Sequence, residues 1–119
     1  MEIISNKTAY YTIFLPVFVG LILTGKSEVF QSKLVHELCM SLGTFFQIRD
    51  DYLDVFADPS VLGKKGTDIQ EGKCSWVILQ VLQCCTEEEK EILKLHYGVE
   101  KEEDVAIVKS VFEKYDISH

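Results

Sequence analysis

The stretch Ser41-Leu42-Gly43-Thr44-Phe45-Phe46-Gln47-Ile48-Arg49-Asp50-Asp51-Tyr52-Leu53-Asp54-Val55-Phe56 decides how the 119-residue sequence is read. At about 100° per residue, Gly43, Gln47, Asp50, Asp51 and Asp54 fall on one helical stripe roughly 100° wide, because 47/50/54 and 47/51/54 are joined by three- and four-residue steps. The rest of the circumference is apolar: Ile48 and Val55 on one flank, Phe46 and Leu53 on the other, and Phe45, Tyr52 and Phe56 behind, with Arg49 the exception. A solvated acidic face normally sits opposite a single apolar stripe, whereas here apolar surface covers most of the helix. The carboxylates are therefore expected to face an interior cavity.

Three acids at that spacing repel one another, and removing them from water costs several kcal/mol unless a cation neutralises them. An oxygen-only ligand set of Asp50, Asp51 and Asp54, without His or Cys, suits Mg²⁺ or Mn²⁺; Mg²⁺ in particular pairs one or two carboxylates with substrate phosphates and water. Gly43, one turn back, is expected to leave room for a bulky ligand against the helix. From the pattern alone a solvated acidic patch remains the alternative. A calcium-binding EF-hand loop is excluded, since Tyr52 and Phe56 stand where oxygen ligands are required and no glycine is sixth from Asp50 or Asp54.

Working outward, the punctuation is Gly25, the Asp58-to-Lys73 stretch and Gly98. Helices are expected over Lys7 to Leu23, bent at Pro16, and over Glu28 to Ala57. Asp58-Pro59-Ser60 stops the second, and the glycine-bearing run to Lys73 reads as a loop. A third helix starts near Ser75. Thr86-Glu87-Glu88-Glu89 announces a fourth with a capping box and an acidic first turn, and a fifth runs from Lys101 to about Lys114 with Val105, Val108, Val111 and Phe112 inward. No strand is needed. The reading is all-α, about five helices, one unit over residues 1–119.

A net charge of −7 argues against broad attraction to nucleic acid or anionic lipid. Any anionic ligand must be met locally. Cys39, Cys74, Cys84 and Cys85 show no C-x-x-C spacing and read as reduced thiols, as in the cytoplasm. Ala9 to Leu23 is almost wholly apolar, but it carries Thr12, Pro16 and Gly20 and is short for a bilayer, which needs about 20 apolar residues. A helix buried on all sides is expected there.

Lys7-Thr8 lies at the mouth of that first helix with Tyr11 one turn on, and Lys64, Lys65 and Lys73 sit in or beside the glycine-bearing loop. Each lysine alone reads as an ordinary surface residue. Combined with a metal-bearing carboxylate stripe, they suit a diphosphate, with the loop lysines closing over it.

Phe45 to Asp54, followed by Asp58-Pro59-Ser60-Val61-Leu62-Gly63-Lys64-Lys65-Gly66-Thr67-Asp68-Ile69-Gln70 and Lys73-Cys74-Ser75-Trp76, closely resembles eukaryotic farnesyl diphosphate synthases, of the isoprenyl (polyprenyl) diphosphate synthase family. Lys7-Thr8-Ala9-Tyr10-Tyr11 and Leu95 to Gly98 fit as well, so the resemblance covers essentially the whole chain, as the middle-to-late part of such an enzyme. It implies a partial isoprenoid synthase helical bundle and a cytoplasmic prenyltransferase of isoprenoid biosynthesis. The implied reaction condenses an allylic diphosphate head-to-tail with isopentenyl diphosphate. It further implies that Asp50 and Asp54 hold Mg²⁺ with Asp51 in support, that Lys7, Thr8, Gln47, Lys64 and Lys73 line the allylic diphosphate site, and that Lys7 and Thr8 lie near the developing carbocation. The family's first aspartate-rich motif and its isopentenyl diphosphate pocket would lie upstream of Met1, so this truncated half-site is expected to be inactive alone. The alternative is a non-catalytic helical module that dimerises with itself or pairs with a full-length synthase.

Overall fold

Pro16 sets the character of the first helical segment. Its ring has no N–H and crowds the carbonyl one turn back, so an α-helical ladder cannot run through it. The computed structural model describes the backbone of residues 5–30, 32–115 and 117, and their side chains except at 5–8 and 30. In it, Ser5–Phe14 is a π-helix, bonded i→i+5, and α1 (Leu15–Leu23) follows with Pro16 in its first turn, where the missing N–H costs little. Phe14, at the junction, keeps φ −64° and ψ −49°, so the chain changes hydrogen-bond register without leaving helical conformation. The expected bend at Pro16 is thus a change of helix type just before it.

The chain divides into two compact units, Met1–Arg49 and Asp50–His119. In the first, Gly25 takes φ 69° after α1, α2 (Ser27–Phe30) is one turn, and α3 (Lys33–Phe56) begins where the Ser32 carbonyl accepts the N–H groups of Val35 and His36. The single helix expected from Glu28 is therefore interrupted at Ser32, a residue type that competes with the helical ladder and favours its start. Ala9, Phe14 and Cys39 are buried, and Phe14 meets His36 edge-on at 4.9 Å.

Two expectations fail in this unit. The apolar α1 is not buried on all sides: none of its residues is buried, and Leu23 is 80% exposed. Nor does Gly43 make room for a ligand. A Cβ there would stand 2.2 Å from Ala9 Cα, so the missing side chain lets the π-helix backbone lie against α3. On a different face of α3, Leu34, Leu38, Leu42, Phe45 and Phe46 form an exposed apolar stripe at helical spacing.

In the second unit three helices start on a side chain that accepts a first-turn N–H, and the last, after Lys101, starts without one. Asp58 accepts the Ser60 N–H at 2.8 Å and begins the one-turn α4 (Pro59–Leu62), which Gly63 closes at φ 74°. The expected stop after α3 is thus also a start. Ser75 caps α5 (Trp76–Cys84), and Thr86 and Glu89 complete the expected capping box of α6 (Glu87–His96). α7 (Glu102–Phe112) packs on α6 and buries Val108, Val111 and Phe112. These close with Val55, Ile69, Val77, Ile78, Val81, Cys85 and Leu93 into one apolar cluster. Ile69 lies in the stretch read as loop, and its burial pins that stretch to the core. Among the described residues there is no strand, all four cysteines are free, and no helix is long and apolar enough to cross a membrane.

Glu89 also joins the start of α6 to the turn after α7. The Tyr115 hydroxyl and the Lys114 ammonium, 3.0 Å away, donate to its carboxylate. The Tyr115 bond first, then the Thr86 N–H and Lys114, hold Glu89 at about 2, below its ordinary 4.5. A depressed carboxylate pKa adds stability that is complete above about pH 4.5 and disappears as pH falls toward 2. Over that window the wild type should lose more melting temperature than Glu89→Gln, followed by the fluorescence of Trp76, the single tryptophan. Equal losses would remove Glu89 from the acid response.

Candidate functional site

Neighbouring aspartates of α3 meet different surroundings. Asp50 is exposed, Asp51 is 6% exposed, and Asp54 is half-buried. Because 50 and 51 stand about 100° apart on a helix, they occupy opposite edges of the acidic stripe. Asp51 turns toward α5, where its Oδ2 accepts the Trp76 N–H at 2.6 Å, at the start of that helix. A carboxylate there meets an otherwise unsatisfied N–H and the positive end of the helix dipole. Asp51 thereby ties α3 to α5.

Asp54 is tied to the glycine-bearing loop. Its Oδ2 accepts the Asp68 N–H at 2.9 Å, which occupies one carboxylate oxygen and leaves the other. A Cβ on Gly66 would stand 1.9 Å from the Asp54 carbonyl oxygen, so the loop backbone touches α3 where only glycine fits. The loop's far end is held as well: the Gly98 N–H donates to the Ile69 carbonyl at 2.9 Å, and the Tyr97 hydroxyl donates to the Lys73 carbonyl at 2.6 Å. Gly72 and Gly98 take φ 63° and 83° and meet backbone to backbone.

The loop lysines are distributed unequally. Lys73 Nζ lies 3.0 Å from Asp68 Oδ1 and 3.2 Å from Glu71 Oε2, and those two carboxylates raise its pKa well above the usual lysine range. Lys65 pairs with Glu102 of α7 at 3.2 Å, so it is engaged away from the aspartates. Lys64 is exposed. Gln47 is half-buried on α3, one turn before Asp50 and Asp51. Lys7 and Thr8 belong to the π-helix, and their side chains lie outside the described residues.

Asp68, which the sequence pattern did not single out, is the acid that joins the parts. Burial pushes its pKa up, the Lys73 hydrogen bond opposes this, and the Asp54 and Asp51 charges push it further up. The charges of Asp51 and Asp54 thus bear on Asp68, which is paired with Lys73, an arrangement that favours additional positive charge. Among the described residues no three His, Cys, Asp or Glu side chains form a metal cage by themselves. Mg²⁺ takes one or two carboxylates and completes its shell with water and phosphate. The exposed Asp50 and the remaining oxygen of Asp54, one helical turn apart, are donors of that kind.

The chain matches the polyprenyl synthetase family over residues 1–115. It is similar to the farnesyl pyrophosphate synthase of Homo sapiens, 44% identical over 98% of this chain and 28% of that protein, and to farnesyl pyrophosphate synthase 2 of Arabidopsis thaliana, 42% identical over 98% of this chain and 34% of that protein. Among solved structures, T. brucei farnesyl pyrophosphate synthase superposes with a TM-score of 0.92 at 38% identity, over 98% of this chain and 36% of that one. The fold is that of the all-α isoprenoid synthases. The chain spans about a third of the length of the curated relatives it matches.

Proposed function

Because the chain belongs to the polyprenyl synthetase family, we propose that it carries the allylic diphosphate half of a prenyltransferase site of the farnesyl diphosphate synthase type. The observation that carries this reading is the attachment of the lysine-bearing loop to Asp54, through the Asp68 N–H and the Gly66 backbone. In this reading that contact joins oxygen donors for a divalent cation to lysines for phosphate oxygens. The similarity to farnesyl pyrophosphate synthases supports prenyl transfer as the chemistry and a prenyl diphosphate as the ligand.

In this reading Asp50 and Asp54 hold Mg²⁺, or Mn²⁺ in its place, and Asp51 supports them by fixing α3 to α5. When bound, the cation would supply positive charge to a departing diphosphate. Lys64 and Lys73 donate to the diphosphate oxygens, where an ammonium acts as a point charge with three donors. Lys7, Thr8 and Gln47 are the further residues that the family resemblance assigns to the allylic diphosphate.

Titrating inorganic diphosphate with excess MgCl₂ into the purified chain tests the half-site. Weak binding is expected, weakened a further tenfold or more by Asp50→Ala or Asp54→Ala, and unchanged binding in both variants would remove the assignment. With labelled isopentenyl diphosphate and an allylic diphosphate, robust farnesyl product from these residues alone would show that the site is complete. A second reading, a helical module that pairs with a full-length synthase, is favoured by the exposed stripe of α3 and the uncovered α1. Co-purification with such an enzyme, combined with no magnesium-dependent diphosphate binding, would put that reading first.

A further inference from the structure

Lys73 owes its direction to contacts at both ends of the residue. At the ammonium end stand Asp68 and Glu71. At the backbone end, the Lys73 N–H donates to the Asp68 carbonyl at 3.0 Å, and the Lys73 carbonyl accepts from the Ser75 N–H at 2.8 Å and from the Tyr97 hydroxyl at 2.6 Å. The first four contacts are local, within five residues. The Tyr97 bond alone comes from a distant element, the C-terminal end of α6. The neighbouring Gly98 N–H bonds to Ile69, and Gly98 touches Gly72, so the end of α6 grips the loop at three successive points.

We infer that Tyr97 is a positioning residue for diphosphate binding, acting through the Lys73 backbone to aim the Lys73 ammonium at the corner formed by Asp68 and Asp54. The inference rests on the proposed diphosphate half-site and adds to it a residue that touches neither ligand nor cation. Lysine has a flexible four-carbon stem, so the direction of its Cα–Cβ bond decides how much of its range reaches the site. A displacement of about 1 Å in a binding group can cost on the order of 100-fold in rate. Tyr97 suits the task. Its ring is half-buried and lies 6.4 Å from that of the fully buried Phe112, so the hydroxyl is held by the core itself. Burial, ahead of the opposing hydrogen bond with the Ser75 side chain, raises its pKa to about 12, and the hydroxyl remains a donor throughout the physiological range.

A double-mutant cycle tests this with inorganic diphosphate and MgCl₂ as the probe. Tyr97→Phe keeps the ring and removes only the hydroxyl. It should weaken diphosphate binding three- to tenfold, Lys73→Ala should weaken it tenfold or more, and the double variant should bind no worse than Lys73→Ala. Urea unfolding of each variant, followed by Trp76, separates loss of fold from loss of aim: a purely structural tyrosine would lower the midpoint and reduce affinity equally in both backgrounds. Additive losses, or full affinity in Tyr97→Phe while Lys73→Ala is impaired, would overturn the inference and leave the half-site standing. Full affinity in Lys73→Ala would remove Lys73 from the site and the inference with it.

Discussion

Gly66→Val is expected to abolish magnesium-dependent diphosphate binding and to destabilise the second unit by about 2–5 kcal/mol, the sum of an overpacked backbone contact and a lost hydrogen bond to a charged group. The first Cβ atom alone would stand 1.9 Å from the Asp54 carbonyl oxygen, 2.8 Å from its carbon and 2.9 Å from Asp54 Oδ2. Two of these three neighbours are backbone inside α3 and cannot swing aside. The loop must therefore lift, which breaks the Asp68 N–H bond to Asp54 and carries Asp68, and Lys73 with it, away from the helix. Gly63 provides the control. It sits in the same stretch at φ 74° with nothing within 4 Å of an added Cβ, so Gly63→Ala should cost only the roughly 1–2 kcal/mol of a left-handed residue and spare binding. Calorimetric titration of both variants with diphosphate and MgCl₂ checks the pair. If Gly66→Val binds as well as Gly63→Ala, the contact between loop and helix does not build the site.

Gly66 also shows where sequence reading stops. The acidic stripe was legible because helical period depends only on residue order, and the capping residues Ser75, Thr86 and Glu89 were legible because a cap acts within three positions. Pro16 was legible as a break, although the ladder adapts by widening upstream rather than by bending. The reason that glycine is required at 43 and 66 was not legible. In both cases the neighbour that a Cβ would strike, Ala9 or Asp54, is far along the chain or across a loop, and no local pattern names it. The loop lysines were read as one cationic group, yet Lys65 is drawn to Glu102 and Lys73 to Asp68 by pairings that long-range folding decides. Asp68 and Tyr97 were passed over for the same reason. What was visible at 50, 51 and 54 was the stripe; that 51 is buried against Trp76 while 50 stays exposed follows only from the placement of α5.

Phe112→Ala should unfold the second unit under conditions in which the wild type is folded. Phe112 is fully buried, the largest such side chain among the described residues, and it joins α7 to the cluster of Val77, Val81, Leu93 and Val108 while its ring stands beside Tyr97. Truncating a buried phenylalanine costs about 3–5 kcal/mol, from lost transfer energy and the cavity left behind, against the roughly 5–15 kcal/mol that holds a whole domain together. With a urea slope of about 1–3 kcal/mol per molar, the midpoint reported by Trp76 should fall by one molar or more. Leu95→Ala, at a side chain 71% exposed on α6, should leave it within error. The variant also bears on function, because Tyr97, Ile69 and Trp76, which hold Lys73, the loop and Asp51, all pack on this cluster. Diphosphate binding should therefore disappear at the same urea concentration as the Trp76 signal. Binding that survives loss of that signal would mean that the aspartate and lysine groups are assembled without the core of the second unit.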